Sequence, residues 1–321
     1  MTTLIENLRR RSRLVQDMRA YFHRAGYTEV QAPCLIDIPS IEPHIDPLAV
    51  VNTQGAKRYL HTSPEYALKK LLGAGMGDCF SLGPCFRDEP NSPHHSPEFT
   101  MLEWYATHRN LVDLMDQTET FIKTIWNNAG RPRIEREGYN IDMEAPFSRA
   151  TVSELFQQYM GLCPIELNTY EALAHAADSK KLRYSKTNTD FDSLFHQLFL
   201  NYIEPNIGRS RPAFVWGWPP SQAALACLSL ETSPVALRFE LYAGGLELAN
   251  AFEELTDSDE QRRRFEGEQQ ERTELGKTVF PLDDDLLSAL PLMPPTSGIA
   301  LGVDRLIMLL LNVNCIEEVI A

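Results

Sequence analysis

The chain has 321 residues, 43% hydrophobic and 23% charged, enough for one large domain or two modest ones around a sizeable core. No run approaches the ~18 uncharged apolar residues of a membrane span, and no apolar stretch follows the basic residues near Met1, which argues against a transmembrane helix and a secretory signal. A net charge of −14 disfavours a protein built to grip nucleic acid and favours a basic protein or cationic small molecule as partner. Residues 3–25 have the spacing of an amphipathic helix closed by Gly26, and 28–35 read as a strand and turn. Ser63 and Pro64 mark the N-cap and first position of a helix running to about Leu72. Residues 79–89 and 98–108 predict antiparallel strands joined by the loop 90–97. Helical periodicity over 110–128, 151–160, 169–178 and 190–203 defines a helical insertion at about 109–211. Strand character returns at 212–218 and at 235–254, around Gly244-Gly245. A charged helix at 257–275, a strand at 298–302 and a helix at 303–311 complete the chain.

Strands joined by hairpins on either side of a helical insert predict an α+β fold with an antiparallel sheet. No GxGxxG or GxxxxGK[ST] supports a Rossmann or P-loop site. Six cysteines form no CxxC pair and no zinc spacing, as expected for reduced thiols in a cytoplasm.

Alternation along 98–105 puts Phe99, Met101, Glu103 and Tyr105 on one face, and Arg87 and Glu89 share a face of the preceding strand. Together these residues can line one cleft, although a half-exposed strand explains the same pattern. Arg305 stands in the first turn of a helix after Gly302, where a cation opposes the helix dipole. A phosphate bridging the helix end and the guanidinium resolves that conflict. A surface pair with Asp304 is the alternative. With Arg87 and Arg305 together, the pattern reads as an ATP site that activates a carboxylate.

If the hairpin turn centres on Ala243-Gly244, Glu240 and Glu247 lie directly opposite and need a cation between them. Two carboxylates with phosphate oxygens suit Mg²⁺; two solvated glutamates remain the other reading. Asn250 and Glu254 share parity with each other but not with Glu247, so a bulge is required for all three to face one pocket. The excess of carboxylates at Glu65, Glu103, Glu247 and Glu254 fits an amino acid carrying an additional amine. His94-His95 reads as a phosphate contact or as loop polarity, and Trp216-Gly217-Trp218 as core and turn.

These segments resemble the class II aminoacyl-tRNA synthetases, in their lysyl branch. Arg87-Asp88-Glu89 with 97–105 is similar to motif 2, 298–305 to motif 3, 26–33 to the dimer-forming motif 1, and 240–255 to the lysyl metal and amino-acid segment. Four motifs in order cover nearly the whole chain. The resemblance implies a single class II catalytic domain over 1–321, working as a cytoplasmic homodimer with ATP and Mg²⁺. Motif 1 begins at Gly26, leaving no room before it for the OB-fold of a lysyl-tRNA synthetase. No anticodon-binding domain and no stable tRNA binding are therefore expected. That pattern is similar to a shorter branch of the family, which implies adenylation of (R)-β-lysine or lysine and transfer to a lysine ε-amine of translation elongation factor P. A truncated synthetase charging tRNA or another amine acceptor is the alternative.

The resemblance also implies roles. Arg87, Glu89 and Arg305 form the catalytic set: Arg87 on the α-phosphate and substrate carboxylate, Arg305 on the γ-phosphate, Glu89 reading the adenine amino group. Phe99 stacks on adenine, and Asp88, His95, Ser96, Glu240, Leu241 and Gly302 complete the ATP contacts. Glu240 and Glu247 hold Mg²⁺. Ser63, Pro64, Glu65, Glu103, Tyr105, Glu247, Asn250, Glu254 and Ala300 contact the amino acid. Ala300 stands where lysyl-tRNA synthetases tend to have glycine, and that methyl tilts the choice toward β-lysine, by the ~1–3 kcal/mol that one carbon commands.

Overall fold

The computed structural model describes residues 2–321, which divide into two units, one of residues 2–132 with 254–321 and the other of residues 133–253. The first unit opens with α1 (Thr2–Arg24), which buries Leu14, Met18 and Phe22 at helical spacing. Phe22 packs against Phe80, Trp104 and Phe121 at ring-centroid distances of 5.0, 5.0 and 5.2 Å. Each such buried ring contributes about 1.5–3 kcal/mol. Gly26, at φ +85°, turns the chain into β1 (Thr28–Glu29). β2 (Leu35–Ile36), β3 (Ala49–Val51) and β4 (Lys57–Leu60) form a small sheet in the order β2-β4-β3. Sequence patterning did not reveal β3 and β4, because strands this short and this exposed carry no clear alternation. α2 (Glu65–Gly73) follows; it starts one residue later than expected, with Pro64 at the cap position, while Ser63 Oγ accepts the Glu65 N–H at 3.0 Å. β5 (Cys79–Phe86) and β6 (Glu98–Thr107) pair antiparallel from Cys79 opposite Tyr105 to Phe86 opposite Glu98, as predicted. α3 (Leu111–Asn128) is capped by Asn110, whose side chain accepts the Asp113 N–H at 3.0 Å.

The second unit contains β7 (Ile134–Arg136), β8 (Tyr139–Ile141), β9 (Ser148–Thr151), α4 (Val152–Met160), α5 (Tyr170–Ser179) and α6 (Phe191–Leu198). The stretch read as helical therefore also holds three short strands. β10 (Ala213–Trp218), β11 (Ala236–Ala243) and β12 (Leu246–Glu253) complete this unit, in the order β9-β10-β11-β12, with only the β9–β10 pair parallel. Phe156, Phe195, Phe199 and Trp218 form its aromatic core.

The chain then returns to the first unit with α7 (Ser258–Glu274), α8 (Asp284–Ala289), β13 (Thr296–Gly302) and α9 (Val303–Leu311). β13 pairs antiparallel with β6 and places Gly298 opposite Tyr105, Ala300 opposite Glu103 and Gly302 opposite Met101. The sheet of this unit runs β1-β5-β6-β13. Arg272 on α7 is fully buried and donates to the Glu42, Ile45 and Thr278 carbonyls and to Asp46, the last at 2.6 Å. It pins the loop 42–46, whose Asp46 carbonyl accepts the Asp88 N–H at 2.7 Å. The fold is α+β with antiparallel pairing dominant, and no helix among the described residues is long and apolar enough to cross a membrane.

Candidate active site

Two groups of predicted residues come together in the first unit. Arg87 follows β5 directly, and its N–H donates to the Pro97 carbonyl at 2.9 Å, closing the loop 90–97. Its guanidinium lies over the Phe99 ring, 5.1 Å from the centroid. Its Nε is buried with no protein partner, a donor left available in the ligand-free state. Across the loop, Arg305 donates to His95 Nε2 at 2.8 Å, so His95 carries its proton on Nδ1, which faces Glu89 at 3.2 Å. Glu89, His95 and Arg305 thus form a continuous polar chain joining the loop after β5 to the first turn of α9. Asp304 does not pair with Arg305. It is buried, receiving Arg11 and the Thr100 N–H, the latter at 2.6 Å. The surface-pair alternative is thereby corrected: the helix N-terminus turns its acid inward to β6 and leaves Arg305 to the loop. Ser96 is half-buried in the same loop, the Asp88 side chain is exposed, and Gly302 occupies the cap position of α9.

The second group is a buried carboxylate cluster. Glu103 accepts from Ser63 Oγ and from Tyr105 OH, each at 2.7 Å. Glu65, in the first turn of α2, and Glu254, just past β12, flank the Lys69 ammonium at 2.7 and 2.6 Å. Gly298 makes room for this cluster: a Cβ there would stand 2.3 Å from Glu254 Oε1 and 2.4 Å from Tyr105 Cε1. Pro64 is buried and Ala300 half-buried beside the same strands. Lys69 was not anticipated, although a signal existed: it falls on the buried stripe of Leu68 and Leu72, one turn after Glu65.

Burial raises the Glu103 carboxyl to about 8; the Glu65 charge adds to this, while Ser63, Tyr105 and Lys69 oppose it. Burial also raises Glu254, against the pull of Lys69. Burial alone would depress the Lys69 ammonium, but Glu254 and Glu65 outweigh it and hold the charge in place. Glu103 binds its proton more tightly folded than unfolded, so its contribution is complete below the unfolded value and is lost as pH rises through the folded one. The ligand-free protein is therefore expected to lose stability from about pH 4.5 to about pH 8. Melting temperatures on either side of that window should fall less for Glu103→Gln than for the wild type; equal slopes would remove Glu103 as the cause.

In the second unit the hairpin register differs from the expectation. The turn is Gly244-Gly245, both with positive φ, and Glu240 pairs with Asn250 while Glu247 pairs with Tyr242. Leu248 has no partner: it is the extra residue of a bulge between Ala249 and Glu247. That bulge brings Arg238, Glu240, Tyr242, Glu247 and Asn250 to one face. Arg238, also unanticipated, donates to Glu240, to Asn250 Oδ1 at 3.0 Å and to the Gln222 carbonyl at 3.0 Å. Its guanidinium is stacked 4.6 Å from the Trp218 centroid. Tyr242 donates to the other Glu240 oxygen. Leu241 lies on the opposite face, fully buried and paired with Phe214 on one side and Ala249 on the other, away from the side chains gathered around Glu240. No group of three or more His, Cys, Asp or Glu side chains among the described residues is arranged to hold a metal. The two-carboxylate face still suits Mg²⁺, which takes one or two carboxylates and fills its shell from phosphates and water. All six cysteines are free, and burial pushes the Cys79 thiol up to about 12, the reverse of an activated nucleophile.

An arginine-lined loop and a helix N-terminus stand with a buried acidic cluster on the same antiparallel strands. The chain belongs to the class II tRNA synthetases (D, K and N), whose family model matches residues 2–321. It is 36% identical over 323 aligned residues to the elongation factor P–(R)-β-lysine ligase of Enterobacter sp. (strain 638), covering 99% of this chain and 94% of the relative. It is 37% identical to the enzyme of the same name from Salmonella heidelberg (strain SL476), with the same coverage.

Proposed function

We propose that the chain is an ATP-dependent ligase that activates (R)-β-lysine and transfers it to a lysine of translation elongation factor P. The carrying observation is the buried trio Glu65, Glu103 and Glu254 beside an arginine-lined nucleotide loop, in a chain whose relatives bear that name. In the first step a substrate carboxylate oxygen attacks the α-phosphorus of ATP, and the bond to pyrophosphate breaks. In the second, a neutral lysine ε-amine attacks the acyl carbon, the bond to AMP breaks, an amide forms and the amine's proton leaves.

Each side chain has a part in this reading. Arg87 neutralises the α-phosphate and the substrate carboxylate, Arg305 the γ-phosphate, and Phe99 and Glu89 hold adenine. Fixed charges of this kind need no reorganisation as the transition state forms. Glu65, Glu103, Tyr105, Asn250 and Glu254 receive the amines and carboxylate of the substrate. Glu240 and Glu247 are the proposed Mg²⁺ ligands: carboxylate oxygens keep lone pairs beyond the bonds they already accept, and the ion would neutralise phosphate charge. The family match over residues 2–321 supports one catalytic domain, and an insertion at about 109–211 and a cytoplasmic homodimer belong to the same reading.

Incubation with ATP, (R)-β-lysine and purified elongation factor P is expected to add one β-lysyl mass to the factor. No addition, alongside efficient charging of total tRNA, would overturn the assignment. Ala300 lies opposite Glu103. Ala300→Gly is expected to raise use of L-lysine relative to (R)-β-lysine by about tenfold, within the range one methyl commands. An unchanged ratio in pyrophosphate exchange would remove Ala300 from the specificity argument.

A further inference from the structure

Lys69 is a lysine where a lysine-binding pocket least needs one. It is 1% exposed, stands on the inner face of α2, and bridges two carboxylates that the proposed function assigns to the substrate. An ammonium buried this deeply is stable only if paired on all sides. Its surroundings are strongly acidic. Glu65 faces it from its own helix, Glu254 from the end of β12, and Glu103 and Tyr105 from β6. Glu268 on α7 and Glu42 add negative charge near Glu65 and Tyr66. The neighbouring Lys70 points elsewhere, to Asp283 at 2.5 Å.

We propose that Lys69 is a positioning residue that sets the charge of the amino-acid pocket: its ammonium holds Glu65 and Glu254 in place and favours the charged form of the carboxylates around it, so that the cluster can receive a substrate ammonium. Three carboxylates packed together would otherwise retain protons, and a protonated carboxyl is a poor receptor for a cation. One internal positive charge eases that conflict, although burial still raises the Glu103 carboxyl to about 8. A simple structural strut would tie α2 to Glu254 equally well, but it would not govern the protonation of Glu103, which touches Ser63 and Tyr105 rather than Lys69. The inference rests on reading this cluster as the amino-acid pocket.

The test is the pH dependence of KM for (R)-β-lysine in ATP–pyrophosphate exchange, for wild type and Lys69→Met. On the acidic side KM falls as the carboxylates ionise. Removing a cation within bonding distance raises carboxyl pKa values by about 1–3 units. The falling limb of Lys69→Met is therefore expected to move up by about one pH unit or more, with KM for ATP unchanged. A folded variant whose profile overlays the wild type overturns the proposal. If Lys69→Met does not fold, Lys69→Met/Glu254→Gln removes both members of the buried pair, a change proteins often tolerate. Compared with Glu254→Gln alone, the double variant should show the same upward shift, because Glu103 still loses the nearby charge. No shift in that comparison overturns the proposal as well. A wild type that exchanges pyrophosphate with neither (R)-β-lysine nor L-lysine overturns the reading of the pocket, and this inference with it.

Discussion

Arg305→Ala is expected to lower ATP–pyrophosphate exchange by roughly 100- to 1000-fold, the range seen when one fixed stabilising group is removed from developing charge. The acid next to it, Asp304, is turned inward to Arg11 and Thr100. The Arg305 guanidinium reaches His95 Nε2 and the His94 carbonyl, at 2.8 and 3.4 Å. A positive side chain in the first turn of a helix, whose end is itself positive, makes a strong site for an incoming phosphate. Removing it should leave the fold intact, because α9 is held by Leu306, Ile307 and Leu310, all fully buried. An unchanged melting temperature with near-normal exchange would remove Arg305 from the site.

Gly298→Ala should fail for the opposite reason, by filling space. A methyl at this position meets Glu254 Oε1 at 2.3 Å and the Tyr105 ring at 2.4 Å. Neither neighbour can retreat cheaply. Glu254 is fixed by Lys69 at 2.6 Å and by its own N–H to the Thr296 carbonyl at 2.9 Å. Tyr105 is buried and donates to Glu103 at 2.7 Å. Overpacking of this kind costs about 1–3 kcal/mol, here directed at the residues proposed to grip the substrate. We expect KM for (R)-β-lysine to rise by about 5- to 150-fold while nucleotide affinity, read by calorimetry with ATP, stays within about twofold. A wild-type KM would show that Glu254 and Tyr105 do not contact the amino acid. Two residues along the same strand, Ala300 already carries the methyl that Gly298 cannot.

Much of this arrangement was legible in the residues. The alternation from Phe99 to Tyr105 fixed which side chains share a face, and the strands at 79–86 and 98–107 lie where the pattern placed them. Charge partners were harder. Arg238 looks like an ordinary surface cation until tertiary packing stacks it on Trp218, and Lys69 betrays itself only by its place on the buried stripe of α2. In the hairpin the need for a bulge was legible from the parity of Glu247 against Asn250 and Glu254, but the turn lies one residue beyond Ala243-Gly244, and with the bulge this sets Glu240 opposite Asn250 instead of Glu247. A strand has a period of two, and only the paired backbone reveals where the unpaired residue falls. The strands at 49–51 and 57–60 escaped because their side chains are largely exposed and impose no pattern.

The unpaired Leu248 has a consequence for how this segment can evolve. Replacing a side chain at 240, 242, 247 or 250 alters one group and leaves the others where they are. Losing Leu248 itself would leave Glu247 and Asn250 two places apart in a regular ladder, still on one side of the strand. Drawing Leu248 into the ladder without losing a residue would instead send one of the two to the reverse side. Among diverging copies of this chain, Glu247 and Asn250 can therefore stand two apart in a straight strand or three apart with the bulge, and the bulge should be kept wherever the longer spacing is.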